Sequence, residues 1–137
     1  GTIVTLGAAQ TLNAWYSANS ATLVAGTDEI WLATGVYITD GTITLKNGVN
    51  LYGGFAGSEA TAADRSKGAN AWNFKNSTTI DGNLGNRQGI ITGVGTTATI
   101  IDGITVTKYA ITGAAANVTG VGAVVNSNWT MQKTNHP

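Results

Sequence analysis

Two aspartates, Asp81 and Asp102, are the residues of this sequence best suited to chemistry. Each begins an Asp-Gly pair, and they lie 21 positions apart. If the chain repeats at that step, the two carboxylates lie on neighbouring turns, about 4.8 Å apart, one strand spacing. Close carboxylates can bind Ca²⁺ or form an acid and base pair. Because an aspartate before glycine also caps a turn through its side chain, we favour the capping role and keep both as candidate ligand-binding residues.

Two aromatic residues, Trp72 and Phe74, form the second candidate site. They lie in a polar stretch that interrupts the strand pattern. Exposed aromatic rings can stack on sugar rings, which favours a glycan contact, although such residues also pin a loop to the body of a protein. Trp31 and Tyr52 alternate with polar neighbours and are expected to fill the interior.

Catalytic residues are not assigned. Lyase chemistry needs several carboxylates and a basic residue, and the basic candidates, Arg65 and Lys75 among them, are interpreted as solvated surface charges. The chain has no Cys and one His, His136, so it has almost none of the side chains that form nucleophile triads and transition-metal sites. We therefore expect no cofactor or metal and favour a function without catalysis, while leaving the enzyme question open.

Composition narrows the classes of partner. The 137 residues carry seven Lys and Arg against seven Asp and Glu, which leaves no basic stripe for nucleic acid. No apolar run approaches the length of about 18 residues that a transmembrane helix needs. The length corresponds to one domain, residues 1–137.

Thr, Val and Ile alternate with Gly, Asn and Asp along most of the chain, which predicts many short strands separated by tight turns. The predicted strands include Thr2 to Leu6, Glu29 to Ala33, Gly35 to Thr39, Thr42 to Leu45, Val49 to Tyr52, Thr78 to Asp81, Thr99 to Ile101 and Ile104 to Thr107. Residues 8–24 differ, because Leu12, Trp15, Tyr16 and Leu23 recur at helical spacing. This segment is predicted to be a short amphipathic helix.

Repeated motifs predict how the strands are arranged. The segment Asp40 to Lys46 resembles Asp102 to Lys108 at an offset of 62 positions, and Asp81-Gly82 lies between them. These offsets are multiples of about 20 residues, the length of one coil of a solenoid. We therefore predict an all-β fold, a single-stranded right-handed parallel β-helix whose first coil is covered by an N-terminal amphipathic capping helix. A β-sandwich is the alternative.

Three segments also resemble a known group of proteins. Asp28 to Tyr37, Leu45 to Glu59 and Thr79 to Asn83 are similar to the opening coils of bacterial surface proteins with right-handed parallel β-helix repeats, which include polymorphic outer-membrane-protein-like and pectate-lyase-like proteins. The resemblance implies exposure on or outside a bacterial cell and a role in adhesion or glycan contact. The alternatives are a polysaccharide lyase or hydrolase of the pectate-lyase type and a purely structural stalk.

The predicted organisation has a capping helix at 8–24 and coils at 28–131, with an excursion at 58–76 that includes one helical turn near Glu59 to Asp64. The strand pattern does not close at the C-terminal end. We therefore expect a fragment of a longer β-helix, with self-association through the open C-terminal coil. The expected ligand is a polysaccharide or a glycan of a host or cell surface.

Overall fold

The computed structural model describes residues 2–4, 11–39, 43–68, 74–82, 91–107, 118–125 and 128–129. The strands are β1 (Thr2–Val4), β2 (Glu29–Ala33), β3 (Gly35–Ile38), β4 (Ile43–Leu45), β5 (Asn50–Phe55), β6 (Thr78–Asp81), β7 (Ile91–Asp102), β8 (Thr105–Thr107), β9 (Val118–Val125) and β10 (Asn128–Trp129). The helix α1 spans Leu12–Asn19, and short 3-10 helices span Ser20–Thr22 and Ala62–Asp64.

The strands form two parallel sheets. The larger sheet has the order β1-β2-β5-β7-β4, with β9 also paired to β7, and the smaller sheet has the order β10-β8-β6-β3. In each sheet three adjacent strands carry most of the described side chains: β2, β5 and the end of β7 in the larger, and β3, β6 and β8 in the smaller. These two three-stranded units and α1 enclose the core.

The prediction of a β-helix wound at one regular step is wrong. Ile30 pairs with Leu51, and Leu51 pairs with Ile101. The number of residues between the second pair is more than twice the number between the first pair. In the smaller sheet Thr79 pairs with Thr105, a step of intermediate length. The sequence separation between paired residues depends on the length of each connection, so the Asp-Gly turns do not mark one repeat. The β-sandwich alternative is not supported either, because all pairings between the described strands are parallel.

One apolar core joins the two sheets. Side chains of alternate residues in a strand point to opposite faces, so Ile30, Leu32, Leu51 and Ile101 enter the core from the larger sheet. Ile80 and Val106 enter it from the smaller sheet, together with further residues from α1, β4 and the connections: Leu12, Tyr16, Ile43, Leu45, Val49 and Ile104. Each fully buried side chain of this size contributes about 1.5–3 kcal/mol.

The predicted amphipathic helix is present over Leu12–Asn19, shorter than the predicted 8–24. Residues 5–10 lie outside the described residues. Leu12 and Tyr16 are buried, and the Lys46 amide donates a hydrogen bond to the Tyr16 hydroxyl. The Lys46 ammonium donates to the carbonyls of Ser20 and Leu23 at 3.1 and 2.6 Å. The helix therefore packs against β4 at the end of the strand order opposite to β1, and not over a first coil.

Thr78 links the two sheets. Its buried hydroxyl accepts a hydrogen bond from the Gly54 amide at 2.8 Å, and its single proton is shared between the carbonyls of Leu32 and Ala33, each at 3.1 Å. Replacing Thr78 with valine keeps the shape and leaves these groups unsatisfied, so we expect a loss of about 1–3 kcal/mol in the free energy of unfolding, measured in urea. Thr78→Ser, which keeps the hydroxyl, is expected to lose less. Equal losses in the two variants would show that the hydroxyl does not join the sheets.

None of the helices in the described part of the chain has the length and apolar character that crossing a bilayer requires.

Candidate functional site

The larger sheet presents a row of chemically distinct side chains on the face opposite the core, here called the outer face. Trp31 pairs with Tyr52, and Tyr52 pairs with Asp102, so the three residues lie side by side on β2, β5 and β7. Their neighbours Ile30, Leu51 and Ile101 enter the core. The alternation of strand side chains therefore directs an indole, a phenol and a carboxylate to the same face. Trp31 is buried there at 3% exposure, as expected, and Tyr52 is partly exposed.

Arg65 covers this row. Its side chain comes from the segment between β5 and β6, and its Nη2 lies 2.7 Å from Asp102 Oδ2. The Nη1 group donates to the Gly53 carbonyl at 2.8 Å, and the Nε group donates to the Ala62 carbonyl at 2.7 Å. Arg65 is only 8% exposed. The prediction that it is a solvated surface charge is therefore wrong, because Asp102 supplies a counter-ion and the Gly53 and Ala62 carbonyls supply acceptors.

Aromatic rings surround the same guanidinium. Its central carbon lies 4.2 Å from the ring centre of Phe74, 5.1 Å from that of Tyr52 and 5.2 Å from that of Phe55. Phe55 in turn stacks on Trp31, with ring centres 4.6 Å apart. Arg65 is the residue type best suited to such a site, because its flat cation can stack on rings while its edges donate hydrogen bonds. We call Tyr52, Phe55, Arg65, Phe74 and Asp102 the Arg65 cluster.

The predicted excursion at 58–76 is tied to the sheet by this cluster. Thr61 precedes the 3-10 helix Ala62–Asp64, and its amide donates to the Asp64 carboxylate at 2.9 Å. Further along, Lys67 and Phe74 form an antiparallel bridge, and the Lys75 amide donates to the Ser66 carbonyl at 2.9 Å. The described residues of the excursion are thus folded back on themselves and held against the larger sheet by Arg65.

Phe74, one of the predicted ligand-binding residues, is packed closely. A Cβ added at Gly54 or Gly103 would come within 2.9 Å of its ring, and both glycines have positive φ, +87° and +74°. The Lys67 ammonium lies 3.5 Å from the centre of the same ring that the Arg65 guanidinium contacts. Partial desolvation of the exposed Lys67 side chain, followed by the nearby Arg65 charge, lowers the pKa of Lys67. This packing favours the pinning role for Phe74, and its contact with a glycan stays a prediction.

The two candidate aspartates lie in different sheets. Asp102 is in β7 and pairs with Arg65, whereas Asp81 is in β6, in register with Ile38 of the smaller sheet. The expectation that they stack on neighbouring turns is therefore wrong, and a shared site between adjacent strands is not formed. Both side chains are largely buried, with Asp81 at 7% and Asp102 at 9% exposure. Trp72 and the Asp40 turn lie outside the described residues.

A polar group that the sequence did not single out lies beside the Arg65 cluster. Glu29 and Asn50 pair across β2 and β5, and the Asn50 amide donates to the Tyr52 hydroxyl at 3.0 Å. The Trp31 indole N–H donates to the Glu29 carboxylate at 2.8 Å. Burial, and then the Glu29 charge, raise the pKa of Tyr52, so its hydroxyl keeps its proton. Glu29, Asn50 and Tyr52 are all partly exposed.

The loop after β5 binds an anion supplied by the chain itself. The amides of Ala56, Gly57 and Ser58 donate to the Glu59 carboxylate at 2.6, 2.9 and 3.0 Å. Successive amides of this kind form the concave nest that also holds phosphate in other proteins. Here hydrogen bonds, led by the one from Ala56, lower the pKa of Glu59. The Glu59 carboxylate thus occupies the anion-binding position of this glycine-rich loop.

The Glu59 loop gives a prediction about pH. Because its pKa is lower in the folded chain, the carboxylate adds stability above the unfolded value of 4.5 and loses it as the pH falls through the folded value. Glu59→Gln is expected to be less stable than the parent at neutral pH by less than about 1 kcal/mol, because solvent screens the loop. Urea unfolding at several pH values would show the two curves converging below pH 4.5. A constant difference down to about pH 2 would argue against this role.

Within the described part of the chain, no three His, Cys, Asp or Glu side chains gather as a metal site. Comparison with known proteins finds no matching family model, and no curated protein or solved structure matches the chain. The resemblance to bacterial surface proteins stays a prediction from the residues. Function is therefore inferred from the chemistry of the outer face.

Proposed function

We propose that this chain is a non-catalytic module that contacts glycans on or outside the surface of a bacterial cell, through the outer face of the larger sheet. The observation that carries the proposal is the group formed by Glu29, Asn50 and Tyr52. A partly exposed ring lies beside an amide and a carboxylate on adjacent strands. Sugars offer C–H groups that pack on a ring and hydroxyls that bind such polar groups, so the two chemistries are complementary.

The polar atoms of this group provide both hydrogen-bonding roles. The Tyr52 hydroxyl is protonated at neutral pH, and its raised pKa extends that state to higher pH, so it can donate to a sugar oxygen while it accepts from Asn50. The Glu29 carboxylate accepts from the Trp31 indole and has a second oxygen with which to accept a sugar hydroxyl. Sites that combine an apolar surface with a few fixed polar groups are typical for small ligands.

The Arg65 cluster supports this surface by fixing its geometry. Tyr52 lies against a guanidinium that is itself held by the Asp102 carboxylate and the Gly53 carbonyl. Side chains that are already ordered lose little conformational entropy when a ligand binds. A rigid platform also suits adhesion, in which a contact must persist under load.

The test is a glycan array followed by titration of the strongest ligand. Tyr52→Phe removes one hydroxyl and keeps the ring, and Glu29→Gln removes one charge and keeps an acceptor. Each is expected to weaken binding about tenfold, because Tyr52→Phe loses one ligand hydrogen bond and Glu29→Gln replaces a hydrogen bond to a charged group by a weaker neutral one. Val36→Thr is the matched control, because Val36 is 65% exposed on the smaller sheet. Absence of binding to any glycan, or equal affinity in all four proteins, would overturn the proposal.

Turnover would point to the lyase alternative instead. The assay measures calcium-dependent release of unsaturated uronate, and Asp81→Ala and Asp102→Ala should abolish it if those carboxylates act in catalysis. Asp102 is committed to Arg65 in this structure, which gives it a supporting role. We therefore expect no turnover. If neither glycan binding nor turnover is detected, a structural stalk would be favoured.

Self-association through the C-terminal strands is a further part of the proposal. Among the described strands β10 lies at one edge of the smaller sheet, and an edge strand offers unpaired backbone groups to a second chain. Residues 126–127 and 130–137 lie outside the described residues. Sedimentation over a range of concentrations should show reversible dimers. A monomer at all concentrations would contradict this part alone and leave the glycan proposal standing.

A further inference from the structure

The turn between β4 and β5 contains a pair of residues with a chemistry of its own. Asn47-Gly48 is the one place in the sequence where glycine follows asparagine. Asn47 is exposed, and Gly48 has a φ of +78°. With no side chain on the second residue, the backbone nitrogen of such a pair can approach the side-chain amide of the first. The pair is therefore a candidate for self-modification.

The reaction needs that nitrogen to be free. After the Gly48 N–H gives up its proton to hydroxide, the nitrogen attacks Cγ of Asn47 and a five-membered imide forms. The bond from Cγ to the side-chain nitrogen breaks, and ammonia leaves after it takes a proton from water. Water then opens the imide to give aspartate or its β-linked isomer. The sum is one water consumed and one ammonia released, with no oxidant or reductant.

In the folded chain this nitrogen is held. The Gly48 N–H donates to Thr99 Oγ1 at 3.0 Å, and the same hydroxyl donates to the Lys46 carbonyl at 3.2 Å. Thr99 has no exposed surface, so water does not compete for its hydroxyl. On the other side, the Gly48 carbonyl accepts from the Gly26 amide at 2.8 Å. The N–H and the carbonyl of Gly48 are thus both held by hydrogen bonds.

We infer that Asn47 is a site of conversion to aspartate and isoaspartate by water, and that the Thr99 hydroxyl suppresses this conversion while β7 stays paired beside the turn. Loss of the Thr99 contact releases the Gly48 N–H and lets the turn reach the geometry of attack. The product adds a negative charge at the turn, and the β-linked isomer also lengthens the backbone by one carbon. Either change would disturb the turn that connects β4 to the outer-face strand β5.

The test follows the mass of the peptide that contains Asn47 during incubation at mildly alkaline pH. The parent protein is expected to convert slowly, and Thr99→Val about tenfold faster, the factor that corresponds to one hydrogen bond. Thr99→Ser, which keeps the hydroxyl, should match the parent. A synthetic peptide of residues 44–51 gives the unprotected rate. Conversion of the parent as fast as the peptide, or equal rates in the parent and Thr99→Val, would overturn the inference.

General loosening of the fold must be distinguished from loss of this contact. Ile80→Val removes one buried methylene in the smaller sheet and is expected to lower stability without raising the conversion rate. Hydrogen exchange of the Gly48 amide in the parent supplies an independent measurement, since it does not depend on how the variants fold. The inference requires that amide to be protected. Exchange at the rate of an open chain would overturn it.

Discussion

Replacing Arg65 with alanine is expected to lower the free energy of unfolding by about 3–5 kcal/mol. The substitution leaves the Asp102 carboxylate buried without the cation that lies 2.7 Å from it. It also removes the hydrogen-bond donors to the Gly53 and Ala62 carbonyls. Breaking one partner of a buried ion pair costs far more than an exposed pair is worth, because the remaining charge stays desolvated. Urea unfolding followed by circular dichroism measures the loss.

Lys67 provides the matched control. Its ammonium lies over the same Phe74 ring as the Arg65 guanidinium, but its side chain is exposed and forms no ion pair among the described residues. Lys67→Ala is therefore expected to cost less than about 1 kcal/mol, the range of an exposed cation and ring. If Arg65→Ala were as mild as Lys67→Ala, Arg65 would not hold the excursion to the sheet.

Replacing Phe55 with alanine is expected to cost about 3–5 kcal/mol. Phe55 has no exposed surface, stacks on Trp31 at 4.6 Å and lies under the Arg65 guanidinium at 5.2 Å. Its removal leaves a cavity between β2 and the excursion that the short side chain cannot fill. The loss is measured by denaturant unfolding, and the Trp31 fluorescence should shift as the indole becomes hydrated.

Two further variants serve as comparisons for the loss of stability in Phe55→Ala. Phe55→Leu keeps most of the apolar volume and should cost clearly less than the alanine variant. Val36→Ala, on the exposed surface of the smaller sheet, should change stability by less than about 0.5 kcal/mol. A fluorescence shift without a loss of stability would show that Phe55 covers Trp31 but does not carry the packing.

Local structure could be predicted from the sequence because it depends on neighbouring residues. The predicted strands Glu29 to Ala33 and Thr78 to Asp81 match β2 and β6, since β-branched and aromatic residues between turn formers favour extended backbone. The buried Leu12 and Tyr16 likewise follow from their helical spacing. Each of these features is decided within a few residues.

The arrangement of strands could not be predicted in the same way. An Asp-Gly turn forms wherever the local geometry allows, so its recurrence at Asp81 and Asp102 does not place both in one sheet. The step between paired strands depends on the connection. The long segment from Ala56 to Ser77 lies between β5 and β6, whereas only the short segment from Lys46 to Val49 connects β4 to β5. A period inferred from turns alone assumes connections of equal length.

The candidate site could not be predicted from the sequence for a related reason. Arg65 is buried by contacts with Gly53, 12 residues away, and with Asp102, 37 residues away. A single charged residue in a polar stretch resembles a solvated charge until its partners are known. Tyr52 was expected in the interior, yet it follows the core residue Leu51 on β5, so its side chain points to the outer face. The burial of the first and the exposure of the second depend on pairing, not on composition.

The central structural claim is that the Arg65 and Asp102 side chains hold the excursion against the outer face, and a double-mutant cycle tests it most directly. The free energies of unfolding are measured for the parent, Arg65→Met, Asp102→Asn and the double variant. We expect the sum of the two single losses to exceed the double loss by at least about 2 kcal/mol, because each single variant leaves one buried charge without its counter-ion. Losses that add to within about 0.5 kcal/mol would contradict the claim, since independent sites behave in that way.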